Sequence, residues 1–242
     1  MRVSVVGCGR RGVLHAACLA AAGHDVVALE PDRAARRALR DGPLSTEPRL
    51  RRLLALALVS GRLRVTGDRT ALAGSRVHVL CTGRGAPRAC GDPAVDDPSG
   101  DATARARAML VALEELAPHL GPGDLVVGRD RVPCGTADLL AAALASDGVR
   151  ATVVWVPDEH RRGRAVLDTL RPARLLYGVP DGALGPRAVG ILDALHDLQL
   201  AGGVPRTTTD LRTAEDARPV RDGRADAPFT DASPPFVRLG AA

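Results

Sequence analysis

Asp158-Glu159-His160 follows a β-rich apolar run at residues 151–156, and Gly7, Gly9 and Gly12 follow another at residues 2–6. The two groups suit different chemistry. A carboxylate next to an imidazole handles protons: Asp158 would accept one from an alcohol, and His160, titrating near neutrality, would relay it or give it to a departing hydroxyl. The competing expectation is that these side chains cap a helix starting near Arg161, where acids suit the dipole. The glycines stand at G-x-G-x-x-G spacing between a strand and a helix. Gly7 permits the tight turn, Gly9 lets the backbone approach a pyrophosphate, and Gly12 lets the helix pack closely on the strand. The helix N-terminus presents free N–H groups to the phosphate, which makes Cys8, Arg10 and Arg11 candidate cofactor-binding residues beside the glycines.

Glu30 ends a second strand at residues 25–29, close to the ~20-residue offset at which an acid binds the adenosine ribose. NAD is the cofactor expected. A 2′-phosphate would be repelled by Glu30, although Arg33 and Arg36 are near enough to leave a minority case for NADP. A nucleotide-free unit of the same fold is the bland alternative.

The elements that must position these residues follow in alternation. Helices are expected at 32–40, 47–58, 102–116, 136–145, 161–170 and 186–198, and strands at 63–65, 77–81, 125–127, 151–156, 175–177 and 206–208. Strand 77–81 delivers a loop at 82–101 rich in Gly, Pro and Asp. A loop at that end of a parallel strand lies on the ligand side, which adds Thr82, Gly83 and Arg84 to the cofactor candidates. The pattern predicts an α/β fold: a Rossmann-like, doubly wound, mostly parallel sheet of about eight strands with helices on both faces. Residues 1–215 form the domain. Pro219, Pro228, Pro234 and Pro235 forbid a long helix in 216–242, expected to be an irregular tail.

Bulk properties narrow the class. The 242 residues suffice for one substantial α/β domain. No run of ~18 apolar residues and no signal-peptide pattern is present, so a cytoplasmic protein is expected. Five cysteines without a C-x-x-C pair, and His15, His24, His78, His119 and His196 without ligand spacing, argue against a disulfide framework and a metal site. Cys134 has no adjacent base to activate it. The net charge of +5 is spread along the chain and aromatics are 2%, which disfavours a nucleic-acid partner. All 33 basic residues are arginine, and lysine and asparagine are absent, the mark of a GC-rich genome.

Over about residues 1–215 the chain resembles the NAD-binding domain of the UDP-glucose/GDP-mannose dehydrogenase family. The resemblance rests on VVGCGRRGVLHAACLAAAGHDVVALEPD, TEPRL with LVSGRLRVTGD, VPCGT at residues 132–136, LRPARLLYG at 170–178 and TDLRTAE at 209–215. It implies an enzyme that oxidises a primary alcohol of a nucleotide sugar twice, through an aldehyde and a cysteine-bound thioester. No counterpart to the family's cysteine, central helix or nucleotide-gripping domain is expected within these 242 residues.

The retained half also departs from the family. K-S-T before V-P-P-G-T is Arg129-Asp130-Arg131, in a loop that borders the cofactor in the family; Arg131 is thereby a candidate for both cofactor binding and catalysis, and its pairing with Asp130 is otherwise a surface ion pair. In N-P-E-F-L-x-E the first glutamate maps to Asp158 and the second to Arg162. The lysine and asparagine after TDLRTAE map to Arg218 and Asp222. Guanidinium cannot accept a proton at neutral pH, but it binds anions or polarises a carbonyl.

These departures favour a single NAD-dependent hydride transfer at a sugar hydroxyl of a nucleotide sugar, nucleoside or related polyol. The first alternative is a redox-neutral dehydratase that oxidises, eliminates water and re-reduces. The second is a non-catalytic NAD-binding paralogue that pairs with another chain. A homodimer lending a neighbour's tail would cover the site.

Overall fold

The computed structural model describes residues 1–41, 47–81, 102–161 and 163–217. Its strands are β1 (Arg2–Val6), β2 (Asp25–Leu29), β3 (Leu63–Thr66), β4 (Val77–Leu80), β5 (Leu125–Gly128), β6 (Thr152–Trp155), β7 (Leu175–Gly178) and β8 (Arg206–Thr209). They form one eight-stranded sheet in the order β3-β2-β1-β4-β5-β6-β7-β8. Val5 stands between Ala28 of β2 and Val79 of β4, both in parallel register. The chain reverses its direction of travel across the sheet between β1 and β4, the switch point where doubly wound sheets bind ligands at the carboxyl ends of their strands. β7 is antiparallel to β6, with Trp155 opposite Gly178, and β8 runs parallel to β7.

Helices cover both faces because alternate strand residues point to opposite sides and both sides are apolar. Val3, Val5, Ala28, Val79, Val127 and Val154 pack under α1 (Arg10–Ala21), α3 (Pro48–Val59), α6 (Ala165–Leu170) and α7 (Leu184–Leu195). Val6, Val27, Leu80, Val126, Val153 and Trp155 pack under α4 (Ala102–Leu116), α5 (Thr136–Ser146) and α9 (Leu211–Glu215). A side chain at Gly128 would meet the Trp155 ring at 2.0 Å, so the buried indole requires glycine beside it on β5. The remaining helices are α2 (Arg33–Asp41) and α8 (Asp197–Ala201).

Three local expectations are corrected. The helix expected from residue 161 begins only at Ala165, because Gly163 sits in the left-handed region (φ 75°) and Asp168 draws Arg161 out of the helix by accepting its backbone N–H at 2.8 Å. The stretch expected as one helix at 186–198 is two, α7 and α8, broken at His196, whose backbone leaves helical geometry (φ −112°, ψ 27°). α7 starts at Leu184, which puts Pro186 in the first turn, where no N–H is needed. Helix α9, unanticipated from the pattern, is capped by Asp210, which accepts the Thr213 N–H at 2.8 Å. The expected tail from residue 218 onward lies outside the described residues, as do Thr82, Gly83, Arg84, Arg162, Arg218 and Asp222.

Candidate active site

The glycine turn fits a pyrophosphate. Gly7 is in the left-handed region (φ 94°) and Gly9 is the N-cap of α1 with extended backbone. A Cβ on Gly12 would come 1.8 Å from the Gly7 carbonyl oxygen, so helix and turn approach as closely as only glycine allows. Cys8 serves through its backbone: its buried thiol donates to the Leu29 carbonyl at 3.5 Å, and burial together with the Glu30 charge pushes it up to about 12. Arg10 is exposed at the start of α1.

Glu30 stands partly exposed just past β2, where its Oε1 accepts the Asp32 N–H at 3.0 Å. Arg36 donates to the carbonyls of Glu30 and Pro31, each at 2.6 Å. It buttresses the loop that carries Glu30, which weakens the minority case for a 2′-phosphate; Arg33 is exposed one turn earlier.

The loops after β5 and β6 bring the proton-handling residues together beside α1. The Asp158 side chain is 6% exposed; its Oδ1 accepts from Arg129 Nε at 2.8 Å and its Oδ2 from His15 Nε2 at 3.0 Å. Burial opposes charge on Asp158, but His15 and Arg129 outweigh it and hold the carboxyl well below the usual carboxylate range. His160 is half-buried in the same cleft. Burial lowers its imidazole below the ordinary value, Asp158 pulls it up, and His15, Arg11 and Arg129 push it down. Glu159 pairs with Arg174 at 2.6 Å, at the foot of β7. Since α6 begins at Ala165, none of the three caps a helix at residue 161.

Asp130 and Arg131 exchange the places expected of them. Asp130 is buried and its partner is Arg11, 2.6 Å away, whereas Arg131 is exposed and offers its carbonyl to Arg105 at 2.7 Å. In place of the alternative, a surface pair of neighbours, Asp130 forms a bridge from α1 to the β5 loop. Arg11 thus engages a carboxylate. His15, grouped in the sequence with histidines of no assigned chemistry, is the largest omission. Its position four residues after Arg11 on one helix was the available signal.

Among the described residues the buried thiols are poor nucleophiles. Burial raises Cys81, below the cluster, well above its ordinary value, and Asp130 and Asp158 add to the effect. Cys134 is exposed with its sulfur 3.9 Å from the Arg212 carbonyl. Among the described residues no group of His, Cys, Asp and Glu could hold a metal ion. No described helix is long and apolar enough to cross a membrane.

A glycine turn at the switch point, a carboxylate ending β2 and acid/base groups ending β6 define a dinucleotide-binding domain of the Rossmann class. The chain belongs to the UDP-glucose/GDP-mannose dehydrogenase family, whose NAD binding domain matches residues 1–195. The cofactor is NAD. UDP-glucose 6-dehydrogenase of Rhizobium meliloti (strain 1021) is 32% identical over 219 residues, 89% of this chain and 47% of that protein. The UDP-glucose dehydrogenase structure from Pyrobaculum islandicum superposes with a TM-score of 0.72 at 29% identity, covering 88% of this chain and 47% of that one. The UDP-D-ManNAc dehydrogenase structure from Pyrococcus horikoshii gives 0.70 at 26% identity, covering 89% and 48%. The chain spans about half the length of these relatives.

Proposed function

We propose that the chain is an NAD-dependent oxidoreductase making one hydride transfer at a sugar hydroxyl of a nucleotide sugar or nucleoside. The observation that carries this reading is that Arg11 and His15 of the glycine-turn helix bind Asp130 and Asp158 of the β5 and β6 loops, and that His160 lines the same cleft as His15 and Asp158. Bound NAD supplies the hydride acceptor. The Gly7–Gly12 turn and Glu30 hold its pyrophosphate and adenosine ribose. His160, favoured in its neutral form by burial, takes the hydroxyl proton as the hydride leaves.

Asp158 is suited to a different task from the one expected. Both its oxygens are engaged and its carboxyl is held well down, which makes it a weak base at neutral pH. It orients the cleft and stabilises the cation that forms on His160. Arg129 orients Asp158, and the exposed Arg131 is proposed to meet an anionic part of the substrate. Arg129 and Asp130 each depart from the family pattern, and each has found a partner, Asp158 and Arg11 respectively. A decaying site would accumulate unpaired buried charge, which is costly; that supports catalysis over a non-catalytic paralogue.

The redox-neutral dehydratase is the second reading, favoured by His160 in the cleft wall, which once protonated is also an acid for a departing β-hydroxyl. The experiment is to incubate the full chain with NAD and a panel of nucleotide sugars and nucleosides, following NADH and product mass. Equimolar NADH with loss of two hydrogens is expected. Loss of water without NADH would replace this reading by the dehydratase, and no turnover with any compound would favour the non-catalytic paralogue.

A further inference from the structure

Arg11 stands in the first turn of α1, beside the N–H groups of the glycine turn, and its Nη1 donates at 2.6 Å to Oδ1 of Asp130 in the loop after β5. In the sheet, β1 has β2 on one side and β4, then β5, on the other. With strands ~4.8 Å apart, β5 lies about 10 Å from β1. The arginine therefore reaches across the end of β4, away from Glu30 at the end of β2. A dinucleotide laid over this switch point puts its adenosine half at β2 and its nicotinamide half over β4 and β5, and the guanidinium stands in the nicotinamide half. The Arg11 side chain is 39% exposed and that of Asp130 1%, so one arm of the guanidinium is fixed on a buried carboxylate while the rest meets solvent. Nη2 and Nε make no hydrogen bond to a described residue. A planar fork held by one arm keeps its other N–H groups in a set direction, which suits a phosphate.

We propose that Arg11 grips the nicotinamide-side phosphate of bound NAD and that Asp130 is the residue that positions it. The N–H groups of the glycine turn take the adenosine-side phosphate. Such a grip requires NAD in the cleft but no particular reaction there, so it holds for hydride transfer and dehydration alike. Asp130 acts by placement: its own negative charge disfavours a nearby phosphate, whereas the bond to Nη1 spares the guanidinium the loss of freedom that binding would otherwise impose. Charge and placement thus act in opposite directions, and uncharged variants separate them.

Calorimetry on the full chain with NAD and with AMP, which carries the adenosine-side phosphate alone, tests both parts. Arg11→Gln should bind NAD about tenfold more weakly and keep AMP affinity within about threefold, the scale of losing one hydrogen bond to a charged group. Asp130→Asn and Asp130→Leu both lack the charge, and the asparagine alone keeps an acceptor for Nη1. Asp130→Asn should bind NAD within about threefold of the unmodified chain, and Asp130→Leu about fivefold more weakly than Asp130→Asn, from the freedom returned to one long side chain. AMP should bind the two alike, which also shows that both are folded; Asp130→Ala takes the place of the leucine variant should that one fail to fold. In an Arg11→Gln background the Asp130 variants should bind NAD equally, since the residue they act through is gone. Unchanged NAD binding in Arg11→Gln, or equal weakening of NAD and AMP, overturns the grip. Equal NAD affinity in Asp130→Asn and Asp130→Leu overturns the placement. The expected pattern in a chain that turns over no alcohol upholds this proposal and overturns the hydride-transfer reading instead.

Discussion

Arg11 Nη1, in the first turn of the helix that opens on the glycine turn, stands 2.6 Å from Oδ1 of Asp130 in the loop after β5. The bridge is asymmetric. The Arg11 side chain is 39% exposed and that of Asp130 1%, so water can compensate the arginine far better than the carboxylate. Arg11→Ala is expected to cost more than Asp130→Asn: about 2–3 kcal/mol for taking a charged partner from a buried carboxylate against about 1 kcal/mol for freeing a partly hydrated arginine. Urea unfolding of the two variants measures the difference, and equal losses would contradict it.

Gly12→Ala forces a methyl into the Gly7 carbonyl, 1.8 Å away, where backbone and not a flexible side chain must yield. Turn and helix must then separate, at a cost of about 1–3 kcal/mol. Calorimetry should show NAD binding weakened by about tenfold or more, with the far-ultraviolet dichroism of the folded chain retained.

Glu30→Gln keeps the shape of the side chain and removes the charge that repels a 2′-phosphate. The ratio of NAD to NADP affinity should fall by about tenfold, mainly through better NADP binding, because Arg33 is exposed nearby. An unchanged ratio would mean that Glu30 does not face the adenosine ribose.

Mild acid should weaken the fold through its buried histidines. Burial, with Arg129 adding to it, brings His196 down to about 3, and its Nδ1 lies 2.9 Å from the Leu192 carbonyl. The unfolded chain takes up that proton near pH 6.5, the folded chain only near 3. Stability from this group is complete above pH 6.5 and is lost progressively as the pH falls from there toward 3. Between pH 6.5 and 5 the loss is about 2 kcal/mol, at ~1.4 kcal/mol per pH unit. His24 and His78, both lowered by burial, act in the same direction. Urea midpoints measured at pH 7 and pH 5 check this; equal midpoints would show that the histidines titrate normally.

Glu215 on α9 holds the start of α5: its two oxygens accept the N–H groups of Gly135 and Ala137, each at 2.6 Å. These are the donors that a helix N-terminus leaves unmatched. Glu215→Ala should cost about 2–3 kcal/mol, the scale of hydrogen bonds to a charged group, while Glu215→Gln should lose less because one acceptor remains. Urea unfolding distinguishes the two.

The sequence alone determined the strand-turn-helix unit around Gly7, Gly9 and Gly12, the position of Glu30 at the end of β2, the alternating order of elements and the family. These are readable because they depend on neighbours: a glycine at positive φ and an apolar strand are local facts, and the distance from Gly12 to Glu30 is set by one helix and one strand. Only the tertiary structure decided that His15 holds Asp158 and Arg11 holds Asp130, across separations of 143 and 119 residues. Nothing in local spacing says which face of α1 meets which loop, since that depends on how the sheet orders β1, β4, β5 and β6 side by side. The contacts of Asp158 were illegible for the same reason: whether a carboxylate takes protons or orients others depends on the charges packed around it, and those come from elsewhere in the chain.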